Sequence, residues 1–316
     1  MRRSQKGVAL ILVMWAAIIL SVVAASFILD RRTEAMMVGN SISIARAQEA
    51  ADAGVERAVF EAYRNDNAPD IWKRDGAPHL WQFDGIPVRV VMRDESAKID
   101  INTASDLLLK GLFVSAGLND DEAGALLDAV LDWRDADSLR RLHGAEEDDY
   151  KAAGLPYRPA NGPFQAKEEL QLVLGMRPEL YRRIAPSITV YSHQPGVNPQ
   201  TASRDVLLAI PGLTPEIVDE YIAQREAARM NGDPLPALPQ AGAYATGSSM
   251  VVSIRSEAQL DDGTYFAREA VALLRPAPRK PATFLSWSES TAMPAQPTPQ
   301  PAQAAAQPAQ PDGASS

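Results

Sequence analysis

Residues 8–29 contain no charged side chain, and only Ser21 and Ser26 interrupt their apolar character. A bilayer core is crossed by about 20 predominantly apolar helical residues. Central Leu, Ile, Val and Phe each favour insertion by about 0.3–0.6 kcal/mol, so a membrane-spanning helix is expected here. The residues in front, 1–7, are short and basic, with Arg2, Arg3 and Lys6. That charge keeps the N-terminus in the cytoplasm and sends everything from Asp30 onward across the membrane, although Arg31 and Arg32 weaken the asymmetry. The run exceeds the apolar region of about 7–15 residues found in a secretory signal, yet Val23-Ala24-Ala25 offers a cleavage site of that kind.

The position of Lys6-Gly7, directly before the run, resembles the leader of type IV prepilins and type II secretion pseudopilins. The resemblance implies that a prepilin peptidase cuts after Gly7 on the cytoplasmic side and methylates the new N-terminus at Val8. The apolar helix then stays in the mature protein. Most members of that family carry a glutamate at mature position five. Counting from Val8, that position is Leu12, a departure shared with the minor pseudopilin family called GspK. An ordinary membrane anchor would show the same apolar run.

The chain has 316 residues and a formal charge of −9, which falls further if Arg2, Arg3 and Lys6 leave with a leader. Acidic balance argues against a phosphate-backbone partner, which needs Lys and Arg clusters. With no cysteine, disulfides, thiol chemistry and cysteine-ligated zinc are excluded.

Residues 31–64 contain no proline and are rich in Ala, Glu and Met, which favour helix. Val38, Ile42 and Ala45, then Val55, Val59 and Ala62, recur at the spacing of one helix face. One rod over residues 8–63 is predicted, in lipid over 8–29 and beyond the membrane over 30–64. Strand signals follow at 79–83 and 88–93 around the turn pair Asp84-Gly85, with 98–101 as a possible third strand. A second hairpin is predicted at 250–256 and 265–274, around Asp261-Asp262-Gly263. These segments, 79–101 and 246–275, should form one antiparallel sheet. From Pro276 the chain is Pro, Ala, Gln and Ser with few apolar residues, and 276–316 is expected to be disordered.

Between the hairpins, Asn102-Thr103-Ala104-Ser105 is echoed by Asn198-Pro199-Gln200-Thr201-Ala202-Ser203. Each copy leads into a leucine-rich helix, a glycine turn (Gly117-Leu118; Gly212-Leu213) and a second amphipathic helix. Thr-Ala-Ser supplies N-cap oxygens in both. The unit resembles a helix-hairpin-helix, so residues 102–245 are expected to be an inserted helical domain with two such repeats. The DNA-binding form of that motif offers glycine-rich backbone amides to phosphate. Here Thr214 stands where a second glycine is expected, and Asp120, Asp121 and Glu122 follow the first turn, so structural use is favoured.

Asp132-Trp133-Arg134-Asp135-Ala136-Asp137 and Gly144-Ala145-Glu146-Glu147-Asp148-Asp149 concentrate carboxylates between the repeats. Hard divalent cations take 6–8 oxygens in the case of calcium, roughly speaking, and favour carboxylates from adjacent loops. A solvated acidic surface has the same composition, and the spacing is not that of an EF-hand. Together with Asn161-Gly162-Pro163-Phe164, Glu168-Glu169-Leu170 and Gly175-Met176, these segments resemble the helical domain of the GspK family. That resemblance implies calcium held by Asp135, Asp137, Glu146 and Glu147, with Asp132 as a further candidate.

His79, His143 and His193 lie in different segments, and no catalytic constellation is supported; the chain is not expected to be an enzyme. The fold class expected is α+β: a pilin-like N-terminal helix on an antiparallel sheet, with a large helical insertion. The function implied is a minor pseudopilin at the tip of the type II secretion pseudopilus, in the inner membrane and periplasm. Its partners would be the other minor pseudopilins, the major pseudopilin, the prepilin peptidase and the inner-membrane assembly platform, with no nucleic acid. A membrane-anchored receptor holding DNA on paired hairpins is the rival reading. An exported hydrolase cut after Ala25 is a third.

Overall fold

The computed structural model describes residues 6–64, 71–275 and 282–290. Helix α1 (Lys6–Ala62) runs for 57 residues without a break, about 85 Å at a rise of about 1.5 Å per residue. Its side chains from Leu10 to Phe27 are exposed. An 18-residue window of the helix reaches a mean hydropathy of 2.6 with none of it buried in the protein, so length and composition suffice to cross a membrane. Further along, Ala47, Ala50, Ala51, Val55, Ala58 and Val59 are buried on one face. Small residues at that spacing let the helix lie close against a sheet.

The sheet has five strands in the order β1-β2-β5-β6-β7, each pair antiparallel. They are β1 (Asp75–Phe83), β2 (Ile86–Asp94), β5 (Val251–Gln259), β6 (Tyr265–Leu274) and β7 (Ala282–Ser290). Asp84 and Gly85 both take positive φ, 48° and 77°, the two-residue turn that matches the strands' right-handed twist. Along β2, Ile86, Val88, Val90 and Met92 are buried at every second position, as a pleated strand with one packed face requires. They meet the alanine face of α1, and full burial of a Val or Met contributes about 1.5–3 kcal/mol. The guanidinium of Arg268 on β6 grips Asp52 of α1 through two bonds of 2.6 and 3.2 Å, a planar fork matched to a carboxylate.

The helical insertion fills the connection between β2 and β5. Short strands β3 (Ile99–Asp100) and β4 (Ile188–Thr189) pair in parallel as a separate two-stranded sheet. The possible third strand at 98–101 therefore does not join the main sheet; Ile99 and Ile101 point into the core of the insertion. The helices are α2 (Asp106–Ser115), α3 (Asp120–Arg134), α4 (Glu147–Ala152), α5 (Pro178–Ile184), α6 (Arg204–Leu208) and α7 (Pro215–Asn231).

In both hairpins, α2/α3 and α6/α7, every helix is capped at its N-terminus, the first of each pair by the serine of Thr-Ala-Ser as the sequence suggests. Oxygens of Ser105, Asn119, Ser203 and Thr214 accept from the N–H groups of Leu108, Glu122, Val206 and Ile217. The two hairpins then pack together through α2 and α6. A Cβ at Gly111 would stand 2.0 Å from the Ala209 carbonyl oxygen, so only glycine allows this approach.

The expectation of disorder from Pro276 is corrected at 282–290, where β7 pairs along β6 from Ala267 to Leu274. Thr283, Phe284, Leu285 and Trp287 are strand formers inside a proline-rich stretch, and β6 offers them an open edge of N–H and C=O groups. Trp287 lies under Arg268, 5.2 Å from ring centroid to guanidinium carbon. The remainder of the expected tail, 276–281 and 291–316, and residues 1–5 of the expected leader lie outside the described residues.

Candidate functional site

The acidic segments meet where α3 ends. Asp132 sits in the last turn of α3 and Asp135 is its C-cap, so both add negative charge at the helix end that is already negative. Such an arrangement requires a cation or donors nearby. The irregular loop over 138–146 provides some of them by folding back on α3. Backbone N–H groups of Arg141 and His143 donate to Asp132 Oδ2 (3.2 Å) and Asp128 Oδ2 (3.1 Å). A Cβ at Gly144 would fall 1.9 Å from Asp132 Oδ2, so the loop can cover this carboxylate only with glycine there. Asp132 is fully buried as a result.

Arg141 also reaches in with its side chain. Its Nε lies 3.5 Å from Asp132 Oδ1 and its Nη2 lies 3.4 Å from Asp135 Oδ2. Glu146, at the start of α4, faces the same group; it is buried, and Asp132, Asp135, Asp137 and Asp149 all act on it electrostatically. Burial is the main force raising the pKa of Asp132, Asp135 and Glu146, and the neighbouring carboxylates push in the same direction.

Three buried oxygens in this region accept nothing: Asp135 Oδ1, Glu146 Oε1 and Asn161 Oδ1. Asn161 belongs to the site through its amide, which donates to the Asp137 carbonyl at 2.9 Å. Orphaned buried acceptors normally have a partner, and acceptors alone are what a hard cation takes. Asp135 and Glu146 therefore fit calcium in chemical type and in open oxygens, while Asp137 fits in chemical type but is exposed and accepts the Leu139 N–H on Oδ1 at 2.8 Å. Asp132 is engaged by loop backbone and acts first as the anchor of the loop. Glu147 is not brought to the group: Lys151 (2.9 Å) and Arg158 (3.4 Å) hold its carboxylate and lower its pKa. Among the described residues, no three metal-ligating side chains are drawn tightly enough together to form a finished metal shell.

Sequence reasoning missed Arg141 and Asn161, because a basic residue inside an acidic run reads as charge balance. Their signal was Asn161 in a motif already singled out and Arg141 midway between two acidic segments. Trp133 is a core residue, 3% exposed and stacked on Phe164 with centroids 6.0 Å apart. His143 is exposed and uses only its backbone here, His79 stacks on Trp72, and the backbone of His193 donates to Asp100. The three histidines share no site.

The hairpin turns are built for packing. Asn119 and Glu122 form a reciprocal capping box at the start of α3, taking up amides that a phosphate would need, and Asp120 and Asp121 add like charge to the same turn. Arg225 is buried, donating to the carbonyls of Pro199 and Ala202, and is thereby held inside the second hairpin.

At the other end of the molecule, Gly7 and Val8 lie in the first turn of α1. Leu12, at the fifth position from Val8, is 65% exposed.

The family model described as "Type II secretion system (T2SS), protein K" matches residues 90–193, from β2 through the acidic site to the β4 region. Over 293 residues the chain is 28% identical to type II secretion system protein K of Pseudomonas aeruginosa, spanning 83% of this chain and 87% of the relative. The chain is thus similar to type II secretion system protein K along most of its length. A shorter stretch of 82 residues is 43% identical to protein K of Pectobacterium carotovorum, covering 26% of this chain and 24% of that one. The fold is similar to that of a solved structure, a chain of the GspK-GspI-GspJ complex from enterotoxigenic Escherichia coli. The TM-score is 0.59 at 15% identity, over 83% of this chain and 100% of the other. At that identity the likeness concerns the fold.

Proposed function

We propose that this protein belongs to the type II secretion system protein K family and is a minor pseudopilin that helps form the tip complex of the type II secretion pseudopilus. The observation that carries the reading is α1: one unbroken helix, apolar and exposed over 10–27, then packed by small residues beneath a sheet. A helix of this kind has two environments to satisfy. Before assembly it would cross the inner membrane once, with its N-terminus cytoplasmic and its folded part in the periplasm. After assembly it would lie among the equivalent helices of its neighbours. Cleavage after Gly7 and methylation of Val8 by the prepilin peptidase would precede that step. Leu12 supplies no carboxylate to pair with a subunit ahead, and the helical insertion is large enough to block one stacked above it. Both features suit a terminal position.

The role is structural and not catalytic. Its partners in this reading are the other minor pseudopilins, by analogy with the complex named above, followed by the major pseudopilin and the inner-membrane assembly platform. The full chain, captured from detergent-solubilised membranes, should bring two other minor pseudopilins with it. Leu12→Glu should leave membrane insertion intact and reduce that recovery. Capture without either partner would contradict the proposal.

Calcium at the acidic site is part of the same proposal. Asp135, Asp137 and Glu146 would hold the ion, with the anchored carboxylate of Asp132 behind them, and it would supply the positive charge missing at the end of α3. Added calcium should raise the melting temperature, and Asp137→Ala should abolish the rise.

A further inference from the structure

Four carboxylates, Asp132, Asp135, Asp137 and Glu146, act on one another at the end of α3. Most cations nearby are committed elsewhere. Arg134 donates to the Ile101 carbonyl at 2.6 Å and pairs with Asp106. Arg140 holds Asp149 at 2.9 Å, while Lys151 and Arg158 hold Glu147. Arg141 is the side chain that bridges two members of the group, at 3.5 and 3.4 Å.

Its hold is loose. Charge-assisted N–H···O bonds close to about 2.7–2.9 Å, and the Arg141 side chain is 39% exposed. Its backbone is tied down separately through the N–H that reaches Asp132. The guanidinium can therefore leave while the loop stays attached. Its neighbours Leu139 and Leu142 are exposed, so the way out leads directly to solvent.

We propose that Arg141 is the built-in counter-ion of this pocket and competes with calcium for Asp135, the ligand it shares with the ion. Resting on the calcium reading above, this makes the ion exchange places with the guanidinium. Without calcium, Arg141 partly neutralises the carboxylates and keeps them apart; with calcium bound, it turns outward and the carboxylates close in. A +2 ion and a guanidinium cannot share the same oxygens at close range, because they repel each other in a poorly screened site. Arg141 thus weakens calcium binding and sets the concentration at which the site fills.

The test is calorimetric titration of the full chain in detergent with calcium chloride, alongside melting curves with and without calcium. Arg141→Gln keeps the backbone N–H and removes the charge. The variant should melt below the parent protein without calcium, bind calcium about tenfold more tightly, and melt close to the parent when saturated. Arg141→Lys keeps the charge and should bind like the parent. Equal or weaker calcium binding by Arg141→Gln, with the parent binding normally, would overturn the proposal and leave the calcium reading intact. No calcium binding by either protein would overturn both.

Discussion

The carboxylate of Asp94, at the end of β2, accepts both the backbone N–H and the hydroxyl of Ser249, at 3.0 and 2.8 Å. The same carboxylate accepts the N–H and hydroxyl of Ser96, at 2.9 and 2.7 Å. The chain leaves the sheet at one serine and returns at the other. One buried side chain therefore fixes both crossings between the sheet and the helical insertion. Asp94→Ala leaves these donors without an acceptor, and each bond to a charged group is worth about 1.5–3 kcal/mol. Loss of about 3 kcal/mol or more is expected in chemical denaturation, with cleavage by added protease appearing first near 95 and 249. Unchanged stability would show that the two parts are held together elsewhere.

The approach of Gly111 to Ala209 joins the two helix-hairpin-helix units. Gly111→Ala forces a methyl group into the Ala209 carbonyl, and overpacking of this kind costs about 1–3 kcal/mol. A lowered melting temperature with the sheet's hydrogen exchange unaltered would place the damage in the insertion. A neutral substitution would contradict the packed-hairpin description.

Glu146 is buried among like charges and its pKa is raised. The native protein therefore binds this proton more tightly than the unfolded chain. Ionised Glu146 costs stability above its native pKa, and the cost disappears as pH falls below the ordinary glutamate value of about 4.3. Without calcium, Glu146→Gln should melt above the parent at neutral pH, with the difference narrowing on acidification towards that value. A difference independent of pH would mean that the carboxylate's charge is not the cause. With calcium present the order should reverse, since the substitution removes a ligand.

Trp287 connects β7 to the long helix through Arg268, which grips Asp52. Trp287→Ala should cost about 1 kcal/mol, combining a cation–π contact with the covered part of a ring that is 40% exposed, and should increase exchange of the β6 amides. Stability equal to the parent would mean that β7 adds nothing to the folded unit.

Much of this architecture was legible because local chemistry decided it. Asp84-Gly85 specifies its turn through backbone conformation, and Ser105 and Ser203 specify helix starts through their hydroxyls. The alternating residues of β2 declare a strand with one buried face. What stayed hidden depended on distant partners. Ile99 pairs with Ile188 across the insertion, a contact no local pattern encodes. The strand at Ala282–Ser290 was obscured by its proline-rich surroundings, since composition averaged over a long tail hides nine residues that find an open sheet edge. At the acidic site the sequence pointed to the carboxylates but not to their directions. Glu147 turns to Lys151 and Arg158, and Asp132 serves the loop backbone; only folding separates these roles from those of Asp135 and Glu146.

The central claim is that α1 belongs to a processed pseudopilin, and the N-terminal mass of the protein from its own cells tests it most directly. The account predicts an N-methylated N-terminus at Val8 in cells with prepilin peptidase and an intact Met1 in cells without it. An intact Met1 in both would indicate a permanent anchor, and cleavage after Ala25 would indicate a soluble exported protein; either result would contradict the account.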